Sequence, residues 1–185
     1  MTAGYRIRDA SAADQSFLWD MLYAAIYVPA GGQPFPRPLI YDQPLCRYAA
    51  GFGLLVGDCG LIAETPSGEA VGAAWIRLFA VDAPGFGFVD DKTPELSIAI
   101  AESHRGLGLG TLLVDALLVK VQERGWKGVS LSCDPANPAC RLYERAGFAA
   151  WGSSEHHTMV RRVGGPRLAP RGLKVTVKSE RWRSQ

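Results

Sequence analysis

No stretch of this 185-residue chain is apolar for long enough to cross a bilayer. The opening residues, Met1-Thr2-Ala3-Gly4-Tyr5, lack the basic segment followed by an apolar one that marks an export signal, so a cytoplasmic protein with no membrane partner is expected. Histidine is scarce, with three residues (His104, His156 and His157), and the four cysteines (Cys46, Cys59, Cys133 and Cys140) form no C-x-x-C pair. That argues against a zinc site, predicts no metal, and leads us to expect free thiols in a reducing compartment. Internal repeats are lacking too. What is present is ordinary for a globular protein: 48% hydrophobic and 21% charged residues.

The net charge of +2 conceals an asymmetry. From Arg161 to the end there are eight Lys/Arg against one Glu, or +7, which leaves −5 for residues 1–160. One domain over residues 1–163 and a basic extension over 164–185 are expected. Trp182 is the extension's single aromatic, which argues against nucleic acid as a partner. Lys174-Val175-Thr176-Val177-Lys178 alternates like an edge strand and leaves room for a homodimer.

The most informative segment is PELSIAIAESHRGLGLGTLL, residues 94–113. An apolar strand carrying Glu95 runs into Arg105-Gly106-Leu107-Gly108-Leu109-Gly110 and then into a helix. Alternating glycines remove the Cβ atoms that would hold a ligand off, and they permit positive φ, so consecutive N–H groups can converge on an anion. The first turn of the helix adds its free N–H groups and the positive end of its dipole. A tight turn that needs glycine only for packing is the plainer alternative. Two other phosphate loops fit poorly. A dinucleotide fingerprint wants glycine where Thr111 stands, and a P-loop wants lysine after its glycines.

Downstream, Asn137 precedes Leu142-Tyr143 and then Gly147-Phe148. Together with Arg105, Gly108 and Gly110, in this order and at this separation, the residues resemble the two hallmark motifs of the GNAT superfamily of acyl-CoA-dependent N-acetyltransferases. The resemblance covers about residues 5–162. It implies an α/β (α+β) fold with a mixed, mostly antiparallel central sheet of six to seven strands and helices on both faces. It also implies acetyl-CoA as co-substrate and a small amine or peptide amine as acceptor.

The pattern of residues agrees with such a fold. Strands are predicted over 5–9, 59–64, 70–80, 95–101, 128–133, 148–152 and 157–163, with a hairpin at Thr65-Pro66-Ser67-Gly68. A helix capped by Ser11 is predicted to run to about Tyr27, and another over 109–124 with Gly125 at its C′ position. A third, of about nine residues, lies between Asn137 as N-cap and Gly147. Residues 28–44 hold five prolines, at positions 29, 34, 36, 38 and 44, and read as a stiff loop in which Phe35, Tyr41 and Asp42 could wall an acceptor site.

Acetyl transfer to an amine needs an anchored CoA, a neutral amine, a home for the oxyanion and a proton for the thiolate. The N–H groups of Arg105, Gly106, Leu107, Gly108, Leu109 and Gly110, with the Thr111 hydroxyl, are the anchor for the pyrophosphate. By resemblance, the backbone of Ile98, Ala99 and Ile100 pairs with the pantetheine arm, and one of its N–H groups holds the oxyanion. Glu95 is the candidate base, with Asp90 and Asp91 as alternatives, and Tyr143 the candidate acid. Asn137 caps its helix, binds CoA, or does both with different atoms. A covalent route through Cys133 or Cys140 lacks a neighbouring histidine in sequence. Two other readings share the phosphate loop: a catalytically silent CoA sensor or scaffold, and a nucleotide binder unrelated to CoA.

Overall fold

The computed structural model describes residues 4–152 and 157–164. Seven strands form one sheet: β1 (Arg6–Asp9), β2 (Cys59–Glu64), β3 (Ala70–Arg77), β4 (Glu95–Ile100), β5 (Gly128–Ser132), β6 (Ala149–Ala150) and β7 (Thr158–Arg162). Their order is β1-β2-β3-β4-β5-β7-β6, and every pairing is antiparallel except β4 with β5. A parallel neighbour requires a crossover, and helix α2 (Leu109–Glu123) supplies it. Helix α1 (Gln15–Ala25) covers the opposite face, and α3 (Cys140–Arg145) follows β5.

The period of two in β3 shows why both faces are covered. Ala74 and Ile76 join Leu113, Leu117 and Val121 of α2 in one core, whereas Ala73 and Trp75 join Leu18 and Leu22 of α1 in the other. No helix among the described residues is long and apolar enough to cross a membrane.

Several expected boundaries move. Ser11 does start the first helical segment, with its N–H and hydroxyl both donating to Asp14 Oδ2 at 2.8 and 3.0 Å. What it opens is a 3₁₀ turn over Ala12–Asp14, ahead of α1. β3 stops at Arg77 because that side chain turns inward to a buried ion pair with Asp58 (Nε to Oδ1, 3.0 Å). Arg77 Nη1 also donates to the carbonyls of Arg47 and Ala50, which fastens the 3₁₀ turn Leu45–Tyr48 beneath the sheet. The third helix is shorter than expected, six residues, because three i to i−3 bonds, from Cys140, Arg141 and Leu142, lead into it.

The expectation of free thiols is overturned for half of the cysteines: Cys133 and Cys140 form a disulfide with Cα atoms 6.2 Å apart, while Cys46 and Cys59 are free. The bridge joins the end of β5 to the start of α3. His156 and the proposed edge strand at 174–178 lie outside the described residues.

Candidate active site

The cleft of this protein starts where its sheet comes apart. β4 and β5 share one register pair, Glu95 opposite Ser130, closed by a 3.0 Å bond from Ser130 N–H to Pro94 O. The bond from Ala101 N–H to Val71 O (2.8 Å) sets the phase of β4 against β3. By the alternation of an antiparallel ladder, Ala99 turns its backbone groups to β3, opposite Ala73, and Leu96, Ile98 and Ile100 turn theirs toward β5. Beyond Leu96 no strand among the described residues meets them there. Of the three residues grouped by resemblance, the backbones of Ile98 and Ile100 thus face the gap.

 Ala99 is spoken for by β3, and its side chain packs in the core beneath α1.

At the end of β4 the chain makes a short 3₁₀ turn, Glu102–His104, and enters the glycine loop. Gly106 (φ 75°) and Gly108 (φ 85°) are both left-handed, a conformation that a Cβ would strain. The first bond of α2 runs from Leu112 N–H to Gly108 O (3.1 Å), so the N–H groups of Leu109, Gly110 and Thr111 precede the helical ladder. They point out of the positive end of a 15-residue helix. Thr111 is exposed, as are Arg105, Gly106, Leu107 and Gly108. Gly110 has a packing reason as well: a Cβ there would lie 3.3 Å from Leu142 Cδ1 of α3. Arg105 works mainly as a brace, its Nε donating to Ile100 O at 3.0 Å.

The gap between β4 and β5 opens into a cleft of about 360 Å³, lined by Glu95, Ser97, Ile98, Asn137 and Tyr143 among others. Glu95, Asn137 and Tyr143, far apart in sequence, thus line one cleft. Glu95 is 3% exposed. Its Oε1 accepts from Tyr48 Oη (2.7 Å) and Gly87 N–H (2.8 Å), and its Oε2 has no hydrogen-bond partner among the described residues. Burial pushes its carboxyl up to about 7, against the pull of those two bonds. Burial likewise pushes the Tyr143 phenol up to about 12. Tyr143 packs edge-on to Phe148, with ring centroids 5.9 Å apart. Asn137 Oδ1 accepts from Ala139 N–H at 2.9 Å, the capping part of its expected role.

Asp90 and Asp91 are exposed in their loop and do not line the cleft. Nor do Phe35, Tyr41 and Asp42; Tyr41 leans instead on Trp19, with centroids 5.0 Å apart. The wall opposite the parted strands comes from the end of α1 (Leu22, Ala25, Ile26 and Tyr27), from Leu45 and Tyr48, and from Phe86. Sequence reasoning missed this wall. Its one sequence signal is a run of aromatics, Tyr48, Phe79 and Phe86, in segments that have no regular period. The disulfide leaves neither Cys133 nor Cys140 a thiol for a covalent route. No three His, Cys, Asp or Glu residues are grouped to hold a metal among the described residues.

Residues 19–148 match the model of the acetyltransferase (GNAT) family. Over 79 residues the chain is 38% identical to a mycothiol acetyltransferase of Corynebacterium aurimucosum, a match covering 42% of this chain and 24% of the relative. A mycothiol acetyltransferase of an Arthrobacter species is 33% identical over 92 residues, covering 49% and 27%. The match thus spans about a quarter of the length of these curated relatives. Among solved structures, a phosphinothricin acetyltransferase from Sinorhizobium meliloti in complex with acetyl-CoA superposes with a TM-score of 0.60 at 22% identity, covering 89% of this chain and 90% of that one. YhbS from Escherichia coli, in complex with CoA, gives 0.57 at 24%, covering 86% and 81%. At these identities the likeness is one of fold.

Proposed function

The chain belongs to the acetyltransferase (GNAT) family, and on that premise we propose that it moves an acetyl group from acetyl-CoA to a primary amine by direct attack in a ternary complex. The observation that carries the reading is the parting of β4 from β5, which leaves backbone groups of Ile98 unpaired by any strand among the described residues, in a cleft that also holds Glu95 and Tyr143. The residues fit the co-substrate: the gap accepts an extended amide-bearing arm as an added strand, and the first turn of α2 accepts a pyrophosphate. Acetyl-CoA supplies the activated acyl group as a thioester.

The chain's own residues then handle charge and protons. Unpaired N–H groups from Leu109 to Thr111 face the anion, and the N–H of Ile98 is free to donate to the acyl oxygen. Asn137 Nδ2 remains available for the arm while Oδ1 caps its turn. Glu95 takes a proton from the amine. Against an alkylammonium near 10.4, an ordinary carboxylate near 4.3 is mismatched by roughly 6 units, or about 8 kcal/mol. Raised to about 7, Glu95 narrows that mismatch to roughly 3.4 units, or about 4.6 kcal/mol. Tyr143 stays protonated at neutral pH and gives its proton to the departing thiolate. The burial that weakens the phenol as an acid strengthens a thiolate beside it as a base, so the two remain matched.

The test is thiol release from acetyl-CoA by the purified protein over a panel of amines, with CoA binding measured by calorimetry on the same preparation. Amine-dependent release is expected. Tight CoA binding with no release from any amine would favour the silent sensor, and absence of CoA binding would overturn the reading altogether.

A further inference from the structure

The acceptor side of the cleft has a composition that selects its ligand. Ala25, Ile26, Tyr27, Leu45 and Phe86 are each only half-buried, so they hold apolar surface open to a concave space. Phe86 lies parallel to Tyr48, with centroids 6.1 Å apart and planes 10° apart. Its N–H donates to Tyr48 Oη at 2.6 Å. The aromatic wall is therefore fixed before any ligand arrives, which lowers the ordering cost of binding.

Charge narrows the choice further. No lysine, arginine or histidine lines the cleft among the described residues; besides its tyrosines, its ionisable groups are the carboxylates Glu95 and Asp134. An acceptor bearing a carboxylate or phosphate would be stripped of water next to like charge, with no cation to meet it. A polyamine would bring further ammonium groups past the one buried carboxylate. Asp134 is exposed, and its Oδ1 already accepts from Ala136 N–H at 2.8 Å. Size points the same way. A volume of about 360 Å³ is at the small end for ligand sites and has to take the thioester end as well.

We propose that the acceptor is a small arylalkyl monoamine, with one amino group on a flat apolar body and no acidic group, seated against Ile26, Leu45 and Phe86 with its nitrogen toward Glu95. The proposal rests on the transferase reading above and adds to it the acceptor's class.

Its test compares kcat/KM for phenethylamine and tryptamine with kcat/KM for phenylalanine, spermidine and glucosamine, using the full chain and acetyl-CoA. Phenethylamine and phenylalanine share a ring and differ in the carboxylate. A preference of at least about 100-fold for phenethylamine over phenylalanine and over spermidine is expected. Ile26→Arg, which puts a cation in the wall, should reduce that preference over phenylalanine at least about 10-fold while CoA affinity, measured by calorimetry, is kept. Phe86→Ala, which removes the flat apolar face, should raise the KM for phenethylamine about 10-fold. Equal or better use of phenylalanine, spermidine or glucosamine would overturn the proposal and leave the transferase standing. A preference untouched by Ile26→Arg would also overturn it. No release from any amine would remove both.

Discussion

Tyr48 Oη gives its proton to Glu95 Oε1 at 2.7 Å while accepting from Phe86 N–H at 2.6 Å, so one hydroxyl joins the candidate base to the acceptor wall. Two buried anchors fix that hydroxyl. Trp75 Nε1 donates to Tyr48 O at 2.8 Å, and Arg77 holds the carbonyls of Arg47 and Ala50 on either side. Tyr48 is a positioning residue in this arrangement. Its bond favours the ionised carboxylate, so removing it raises the Glu95 pKa further.

In Tyr48→Phe, the rising limb of kcat/KM against pH should therefore move upward by about 1 unit, the equivalent of ~1.4 kcal/mol for a bond to a charged group. KM for the acceptor should rise as well, since Phe86 loses its acceptor. A profile identical to that of the parent would separate Tyr48 from the base.

Glu95 also ties stability to pH. Its folded pKa of about 7 lies above the ordinary carboxylate value, so the native state holds the extra proton between roughly 4.3 and 7. Stability is therefore lost as pH rises through that window and is level above it. Glu95→Gln abolishes this dependence. The stability of the variant relative to the parent should improve by ~2–3 kcal/mol between pH 5 and pH 8 in urea unfolding, even if the amide is the less stable at pH 5. A difference that does not change with pH would show that Glu95 has an ordinary pKa.

Tyr143→Phe removes a proton donor and leaves the ring packed against Phe148. We expect kcat to fall by about 10²- to 10⁴-fold, the usual worth of general acid catalysis. CoA affinity by calorimetry should change less than about threefold. An unchanged kcat would place the proton elsewhere.

The Cys133–Cys140 bridge closes the loop that carries Asp134 and Asn137 along the cleft. In the unreduced, denatured protein, titration should find the two free thiols, Cys46 and Cys59, and after reduction all four cysteines. For so short a loop, chain entropy puts the stabilisation at about 2–3 kcal/mol, so the double Cys→Ser variant should unfold at correspondingly lower urea. Four reactive thiols without reductant would contradict the bridge.

Much of this architecture is legible in sequence because local rules and tertiary needs agree. Gly125 and Gly147 end α2 and α3 with φ of 77° and 85°, as helix-ending glycines should. The spacing of Leu109, Leu112, Leu113, Leu117 and Val121 gives the buried face of α2. The left-handed turns at Gly106 and Gly108 were legible because glycine is the residue that takes positive φ without strain. Tyr48 and Phe86 were not: their roles depend on a turn fastened from 27 and 30 residues away by Arg77, which no local period encodes. The disulfide escaped because six intervening residues form no motif, and only the β5–α3 turn brings the two Cα atoms within 6.2 Å. The cleft wall was expected in the proline-rich loop, whereas the end of α1 provides much of it.

The single register pair between β4 and β5 also bears on cooperativity. Strands β1–β4 form one slab and β5–β7 another, stapled at Glu95 and Ser130 and tied across the cleft by Tyr27 Oη to Ala136 O at 2.9 Å. A ligand lying in the parting takes the place of the missing rungs and makes the sheet continuous. Its binding energy is then folding energy, about 2.7 kcal/mol at a hundred times Kd. Amides of β5 and β7 should exchange faster than those of β2 and β3 in the free protein, and the difference should close as the parting fills.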